Sequence, residues 1–387
     1  MIAFNRARSR TARPSLQATY GPLRDRVALL AAMRRTVRAA RPASGAQADA
    51  MALLRGALAI TLLLIACWAW VLWLLPASAQ SLQTVSVIVF PGGFNWPIWV
   101  AQEHGYFAKS GVEVTLTNTP NSVFQVTNLM EGKFDIAVTA IDNVIAYVEG
   151  QGEVPLASPP DLFAFMGGDN GLLSLASVPE VKSYADLKGR TLSVDAMTTG
   201  YAFVLFDMLR RHGLNPGDYR VEKAGGVLAR WQALQAHRHD GTMLLTPFDL
   251  FAKAAGFNVL EYAIDVYGHY QGLVGATRRA YARDHRSALI GYIRGYLAGL
   301  AWLYDPGNTE AATALLRKNV PQMSPSLAQQ SYAVLVSPKG LAPRAQIDLV
   351  GVGTVLELRS RYGEPRTVLA DPAKYYDPQY YQSALPN

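Results

Sequence analysis

Apolar positions follow two different periodicities in the first half of the chain beyond residue 80. Short apolar or alternating runs, typical of strands, occupy residues 84–90, 112–119, 136–141 and 162–166. Patterns with helical spacing lie between these runs, at residues 97–103, 122–130 and 143–149. Strands that alternate with helices in this way predict an α/β lobe built on a mostly parallel sheet.

The same pattern starts again after residue 190. Strand patterns are present at 191–195, 219–223, 242–245 and 258–263, and helical patterns at 201–212, 227–236 and 248–255. Both series also place Thr-x-x-Asp directly after an apolar strand, at Thr139 with Asp142 and at Thr246 with Asp249. This short match is either a coincidence or the mark of two similar lobes that face each other.

A helical region follows residue 275 and extends close to the end of the chain. Within it, Gly291, Gly295 and Gly299 are spaced four residues apart and therefore line one helix face. In a membrane such a face would favour dimerisation. Arg294 within the segment and its short length favour a buried helix that packs closely on a lobe. We expect one lobe over residues 80–175 and 265–387, which includes these helices, and a second over 176–264.

A charge-free stretch precedes the first strand. Residues 57–75 contain no charged side chain. As a helix, this stretch has about the length needed to span a bilayer. Ala77-Ser78-Ala79 then presents the small residues that signal peptidases accept. We interpret residues 51–79 as a signal peptide that directs the protein to the periplasm, or anchors it to the membrane if it is not cleaved. Residues 1–50 are then a basic disordered leader, or an upstream misread before a true start at Met51.

Charge and cysteine content exclude several classes of protein. The formal net charge is +7, but residues 1–50 hold ten arginines and two aspartates, and Arg55 adds one more positive charge. Subtracting these nine charges leaves a net charge of −2 from Gly56 onward. The expected folded part therefore lacks the excess positive charge of a nucleic-acid-binding protein. Cys67 is the single cysteine and lies within the predicted signal, so a disulfide framework, a cysteine nucleophile and a thiolate metal site are excluded from the processed chain.

Loops at the carboxyl ends of the predicted strands are the candidate ligand site, because open α/β sheets bind ligands there. These loops contain flat apolar side chains and hydrogen-bonding groups but no lysine or arginine. This lining favours a planar or aromatic organic solute over a bare inorganic anion. The candidate ligand-binding residues are Phe94, Asn95, Trp96, Ser122, Asp142, Asn143, Thr198, Thr199, Tyr201, Thr246 and Phe248.

Each candidate also has a structural alternative. Asp142 and Asn143 are equally suited to capping the helix that follows them. Phe94 and Trp96 fit a hydrophobic staple or a core position. Of the two tryptophans in this turn, we expect Trp96 to stack on solute and Trp99 to lie in the lobe core.

Catalytic and cofactor motifs are not found in the sequence. Gly92 and Gly93 do not complete a dinucleotide fingerprint, and no P-loop, serine elbow or zinc-protease helix is present. The sequence therefore predicts no enzymatic activity, no catalytic residue, no metal and no cofactor.

Four segments, in the same order along the chain, resemble the solute-binding proteins of ABC importers, in the group that binds nitrate, alkanesulfonates, taurine or thiamine-pyrimidine precursors. They are "WVAQEHGYFAKSGVEVTLT", "LMEGKFDIAVTAIDN", "VKSYADLKGRTLSVD" and "KYYDPQYY". The resemblance implies a two-lobed periplasmic-binding-protein type II fold, with C-terminal helices packed mainly on the first lobe and solute held between the lobes. It also implies a monomer that delivers solute to a permease and its ATPase, with the membrane reached only through the signal segment or the permease.

Two other functions remain open at this level. The same lobes occur in receptors that present ligand to a membrane sensor. A related enzyme makes the thiamine pyrimidine with a cysteine-rich segment, which this sequence lacks.

Overall fold

The computed structural model of the protein describes residues 46–74, 81–156 and 159–386. The helix α1, Ala46–Leu74, belongs to one compact unit, which ends at Ala79, and the remaining chain forms another. Within α1, residues 49–66 are long and apolar enough to cross a membrane, and none of them is buried. The expected cleavage site at Ala77-Ser78-Ala79 lies outside the described residues, so the signal peptide stays a prediction.

The first lobe is a five-stranded sheet with helices between its strands. Its strands are β1 (Gln83–Val89), β2 (Val112–Asn118), β3 (Ile136–Ala140), β4 (Leu162–Gly167) and the later strand β10 (Leu273–Arg278), in the order β2-β1-β3-β10-β4. The helices between them are α2 (Trp96–Glu103), α3 (Tyr106–Lys109), α4 (Ser122–Met130) and α5 (Ile141–Val148). All residues of the central strand β3 and of the edge strand β4 are buried, so both faces of each strand are covered.

The second lobe repeats this arrangement. Its strands are β5 (Leu173–Ser177), β6 (Thr191–Val194), β7 (Arg220–Lys223), β8 (Gly241–Leu245) and β9 (Asn258–Tyr262), in the order β7-β6-β8-β5-β9. Its helices are α6 (Gly200–Arg211), α7 (Val227–Gln235), α8 (Phe248–Ala254) and α9 (Ala263–Tyr267). β3 and β8 are the central strands of the two sheets. Thr139 is the last residue but one of β3 and Thr246 directly follows β8, so the repeated Thr-x-x-Asp pattern marks the carboxyl ends of equivalent strands.

The chain crosses between the lobes twice, and each crossing delivers a strand to the opposite sheet. β5 pairs antiparallel with β8 and β9, and β10 pairs antiparallel with β3 and β4. Each sheet therefore has four strands in one direction and a single antiparallel strand, so the predicted mostly parallel sheet is confirmed, and the reversed strand is the feature that the sequence did not predict. The crossings also shift the lobe boundaries: β5 belongs wholly to the second sheet, so the expected boundary after residue 175 falls inside a strand, and α9 packs on β5 and β9 although it extends past 265.

The C-terminal region is helical. It consists of α10 (Arg279–Asp284), α11 (Arg286–Tyr304), α12 (Thr309–Asn319), α13 (Pro325–Leu335), α14 (Leu349–Tyr362) and α15 (Gln379–Ala384). Most of these helices pack on the first lobe, as predicted, but α14 contacts both α5 of the first lobe and α6 of the second. α14 is therefore a third structural connection between the lobes.

The three glycines of α11 allow that helix to approach the first lobe closely. A Cβ atom on Gly299 would lie 2.3 Å from the carbonyl oxygen of Pro97, and one on Gly291 would lie 2.5 Å from that of Ser110. Real side chains do not tolerate such separations, so the glycine face is in contact with backbone of the first lobe. The glycine spacing thus marks a buried packing helix, as the sequence indicated.

Candidate ligand-binding site

Two aspartates connect the lobes through the N-termini of helices. Asp195 follows β6 of the second lobe, and its Oδ2 accepts a hydrogen bond of 3.0 Å from the backbone N–H of Ser122, where α4 of the first lobe begins. Asp142 lies in the first turn of α5 of the first lobe, and its Oδ2 accepts a bond of 2.5 Å from the N–H of Gly200, where α6 begins. Each carboxylate therefore occupies the positive end of a helix in the opposite lobe, where negative charge is stabilised.

Asp142 also forms a buried ion pair with Arg359 of α14. The guanidinium donates from Nε to Oδ1 and from Nη2 to Oδ2 of the carboxylate, both at 2.6 Å. The two side chains are 0% and 1% exposed. Arg359 Nη2 donates as well to the carbonyl oxygen of Thr198 in the second lobe, at 2.6 Å, and its guanidinium lies 4.8 Å from the ring centre of Phe203 in α6. The pair therefore holds α14, α5 and the start of α6 together.

Further bonds close the interface beside this pair. Glu153 of the first lobe accepts a 2.9 Å bond from the hydroxyl of Thr198 and forms an ion pair with Lys223 of β7. Burial raises the pKa of Glu153, but the bonds from Lys223 and Thr198 outweigh burial, so the pKa lies below its ordinary value. On another part of the interface, the N–H of Gly226 donates to the carbonyl oxygen of Pro120 at 2.8 Å. The structure thus has its lobes closed against each other.

A cavity lies between the closed lobes, at the carboxyl ends of their central strands. Its volume is about 30 Å³, enough for about two ordered water molecules, so a larger solute requires the two walls to move apart. Residues from both lobes line it, and most of their side chains are apolar. They are Phe90, Phe94, Ala140, Asn143, Asp195, Thr199, Gly200, Tyr201, Val227, Arg230, Leu245 and Leu273.

Arg230 brings a positive charge into this cavity wall. Its side chain is 3% exposed and donates to backbone oxygens alone among the described residues, to Met243 O from Nε (3.3 Å) and Nη2 (3.1 Å) and to Gly225 O from Nη1 (2.8 Å). No carboxylate lies within ion-pair distance of it in the part of the chain that the structure describes. Burial lowers the pKa of Arg230, and the nearby charge of Asp195 opposes that shift. An arginine guanidinium does not lose its proton in proteins, so the positive charge is retained.

Two polar atoms of the cavity lining are buried without a hydrogen-bond partner. Among the described residues, neither Asp195 Oδ1 nor the hydroxyl oxygen of Tyr201 has a hydrogen-bond partner. Burial raises the pKa of Tyr201 well above its ordinary value, so the phenol is neutral and can both donate and accept. Unpartnered buried polar atoms carry a desolvation cost that a bound molecule with matching groups would remove.

The structure places the predicted site residues in different surroundings. Phe94, Asn143, Thr199 and Tyr201 line the cavity, and their contact with a solute stays a prediction. Asp142 and Thr198 are engaged by Arg359, and Ser122 acts through its backbone N–H, so these three hold the lobes together instead of lining the cavity. Thr246 is fully buried, and Asn95 and Phe248 face a separate groove outside the cavity.

The two tryptophans have the reverse of their expected placement. Trp96 is 0% exposed, and its ring meets Tyr332 of α13 edge to face, with centres 5.8 Å apart. Trp99, which we placed in the core, is half-buried and lines the outer groove with Asn95. The reason is local geometry: Asn95 donates to Phe90 O at 2.7 Å and closes the turn, which directs Phe94 to the cavity and Trp96 into the lobe. Pro97 is in the first turn of α2, as predicted.

Sequence reasoning missed the charged members of the site. Arg230 lies inside α7, four residues beyond Gly226, and reaches back to the loop, whereas the loops alone were searched for cations. Asp195 directly follows β6, so an acid at the carboxyl end of a strand was a usable signal. Arg359 is 217 residues from Asp142 along the chain, and no local pattern connects them.

Comparisons with known proteins agree with this architecture. The family model described as NMT1/THI5 like matches residues 95–309. The comparison with curated proteins finds no match.

Three solved structures have the same fold. A ligand-binding component of an ABC-type import system from Staphylococcus aureus is 14% identical, with a TM-score of 0.63 over 78% of this chain and 99% of that one. The alkanesulfonate-binding protein SsuA from Xanthomonas axonopodis pv. citri is 14% identical, with a TM-score of 0.60 over 76% and 98%. The desulfurization enzyme DSZB is 12% identical, with a TM-score of 0.52 over 78% and 98%.

At these identities the structures support the fold, and the periplasmic-binding-protein architecture expected from the sequence is confirmed. The family match covers more than half of the chain. The protein therefore belongs to the NMT1/THI5-like family.

Proposed function

We propose that the protein is the exported solute-binding subunit of an ABC importer. It captures a small organic solute, planar or aromatic, between its two lobes and delivers it to a membrane permease driven by an ATPase. Its site of action is the periplasm, which it reaches through the signal segment, and it acts as a monomer.

The cavity between the lobes is the observation that carries this proposal. Both lobes supply its lining, so a solute that separates the two walls and touches both makes its full set of contacts only when the lobes close around it. Such a solute stabilises the closed form over an open one, and a permease can then recognise the closed form. The Staphylococcus aureus import component and the alkanesulfonate-binding protein share this fold, which supports a binding role.

The planar character of the solute rests on the flat side chains in the lining. Phe90, Phe94 and Tyr201 face the same cavity, together with aliphatic side chains from β8 and β10. Aromatic faces pack best against a flat apolar solute.

A binding screen on the full-length protein in mild detergent tests the proposal. Thermal shift identifies ligands among aromatic acids, pyrimidines, sulfonates and amines, and calorimetry measures their affinity. We expect a planar ligand, and we expect Phe94→Ala to weaken its binding by about 10-fold or more. Phe124→Ala is the matched control, because Phe124 is 42% exposed and lies outside the cavity. Equal affinity in both variants would remove Phe94 from the site.

An enzymatic function is the second candidate, because DSZB shares the fold. The ligand found in the screen is incubated with the protein and analysed by mass spectrometry. An importer subunit returns the ligand unchanged, whereas turnover of the ligand would replace the transport proposal with a catalytic one.

A further inference from the structure

The wall of the cavity carries one positive and one negative group, both from the second lobe. Arg230 is in the first turns of α7, and Asp195 follows β6. The two side chains do not pair with each other, since no ion pair joins them. Each is therefore able to bind a different group of the same solute.

Arg230 has donors to spare. A guanidinium has five N–H groups, and the bonds to Met243 O and Gly225 O use one on each nitrogen. One further N–H on Nη1 and one on Nη2 remain for a bound molecule. A buried guanidinium without a carboxylate partner is costly, and an anionic or strongly accepting group beside it removes that cost.

Asp195 has an acceptor to spare. Its Oδ2 is used by the N–H of Ser122, whereas Oδ1 is buried without a donor among the described residues. A carboxylate oxygen in this position calls for an N–H or O–H from the solute. An amino group meets that need, and a protonated one also offsets the negative charge.

Two helix N-termini at the interface are already occupied by carboxylates. Those of α4 and α6, which in many α/β proteins bind anions, face the carboxylates of Asp195 and Asp142 instead. An acidic group of a solute is therefore expected at Arg230 and not at these helix ends.

We propose that the cavity selects an amphoteric planar solute, whose acidic group binds Arg230 and whose amino or ring N–H group binds Asp195 Oδ1. This inference rests on the proposed solute-binding function and adds the chemical class of the solute. Arg230 and Asp195 are then the residues that determine specificity, and the aromatic side chains of the lining hold the ring between them.

The three isomers of aminobenzoate test this inference, with benzoate, aniline and an alkanesulfonate as comparison ligands. Calorimetry with the full-length protein in mild detergent measures each affinity. We expect at least one isomer to bind about 10- to 100-fold more tightly than both benzoate and aniline, since each charged hydrogen bond contributes about one or more factors of ten. The isomers sample different separations of the acidic and amino groups.

Matched variants assign the two contacts. Asp195→Asn keeps an acceptor for Ser122, and we expect it to remove the advantage of the aminobenzoate over benzoate. Arg230→Met should remove the advantage of the aminobenzoate over aniline. Arg238→Met is the control: Arg238 is at an exposed position of the same lobe, so this variant should leave all affinities unchanged. If Arg230→Met does not fold because Met243 O and Gly225 O lose their donor, Asp195→Asn alone decides.

The possible results separate the inference from the function on which it rests. Tighter binding of the alkanesulfonate, benzoate or aniline than of every aminobenzoate overturns the amphoteric solute but leaves a solute-binding protein. An Asp195→Asn variant that weakens benzoate and the aminobenzoate equally also overturns it. If no ligand of this panel or of the wider screen binds, the solute-binding function itself is refuted.

Discussion

Removal of Arg359 is the sharpest test of how the lobes are held together. Arg359→Met keeps most of the length of the side chain but leaves the Asp142 carboxylate buried. Its remaining hydrogen bond is the one of 2.5 Å from the N–H of Gly200. Both members of the pair are within 1% of full burial, so solvent cannot compensate for the lost partner. Breaking a pair of this kind by removing one partner costs about 3–5 kcal/mol. We expect a loss of that size in the free energy of unfolding.

A double-mutant cycle separates this coupling from other effects of the substitution. Asp142→Asn keeps an acceptor for Gly200 but removes the charge, so combining it with Arg359→Met leaves no unpaired buried charge. The double variant should therefore be more stable than the Arg359→Met single variant. Urea denaturation followed by tryptophan fluorescence gives the free energies of unfolding for all four proteins.

An exposed ion pair provides the control for this measurement. Lys318 and Glu103 are 2.8 Å apart but 65% and 49% exposed, and Lys318→Met should cost at most about 1 kcal/mol. Arg359→Met should also open the lobes, because Arg359 donates to Thr198 O of the second lobe, and small-angle scattering would detect a larger radius of gyration. A loss no larger than that of Lys318→Met, or purely additive effects in the cycle, would refute the reasoning.

Three further predictions concern the core, the acid stability and the glycine face. Trp96→Ala should cost about 3–5 kcal/mol in urea denaturation, because Trp96 is fully buried, and half-buried Trp99→Ala clearly less; equal losses would contradict the assigned positions. Burial raises the pKa of Asp207, but hydrogen bonds from Arg211, Arg210, Tyr362 and Tyr267 outweigh it and hold the pKa well below its usual value. Asp207 therefore adds stability that is complete above its unfolded pKa of about 3.9 and is lost as the pH falls below it; Asp207→Asn should flatten this acid limb of a stability-against-pH curve, and an unchanged limb would exclude Asp207 as its source. Gly299→Ala should cost about 1–3 kcal/mol, since its Cβ would meet Pro97 O at 2.3 Å, whereas Gly353→Ala in α14, with nothing within 4 Å, should stabilise the helix by about 0.5–1 kcal/mol; the same sign for both would contradict the close approach of α11.

The repeated α/β organisation was predictable because it is written in local periodicity. Strand and helix patterns need only neighbouring residues, and the Thr-x-x-Asp repeat at Thr139 and Thr246 marks equivalent strands of the two sheets. The antiparallel strands β5 and β10 were not predictable in the same way. Their direction depends on where the chain crosses between lobes, and no local pattern distinguishes a strand that enters from the opposite lobe.

The cavity lining was predictable only where it belongs to loops. Phe94, Asn143, Thr199 and Tyr201 lie on or next to strand ends, so a search of loops finds them. Arg230 lies on a helix, and its long side chain reaches the cavity from there. The absence of lysine and arginine from the loops therefore did not mean that the cavity wall is uncharged. For this reason the proposed solute has an acidic group in addition to its planar ring.

The role of Asp142 shows why a residue type at the right strand end does not identify a ligand contact. From the sequence, a carboxylate beside a helix N-terminus fits either a cap or a partner for a cationic solute. In the structure its two oxygens are used by Arg359 and Gly200, which come from a C-terminal helix and from the second lobe. Asp195 occupies the reciprocal position but keeps one oxygen free on the cavity wall. Because only tertiary contacts distinguish these two aspartates, we expect Asp142→Asn to weaken all ligands alike through lobe closure, and Asp195→Asn to act selectively on solutes that donate a hydrogen bond.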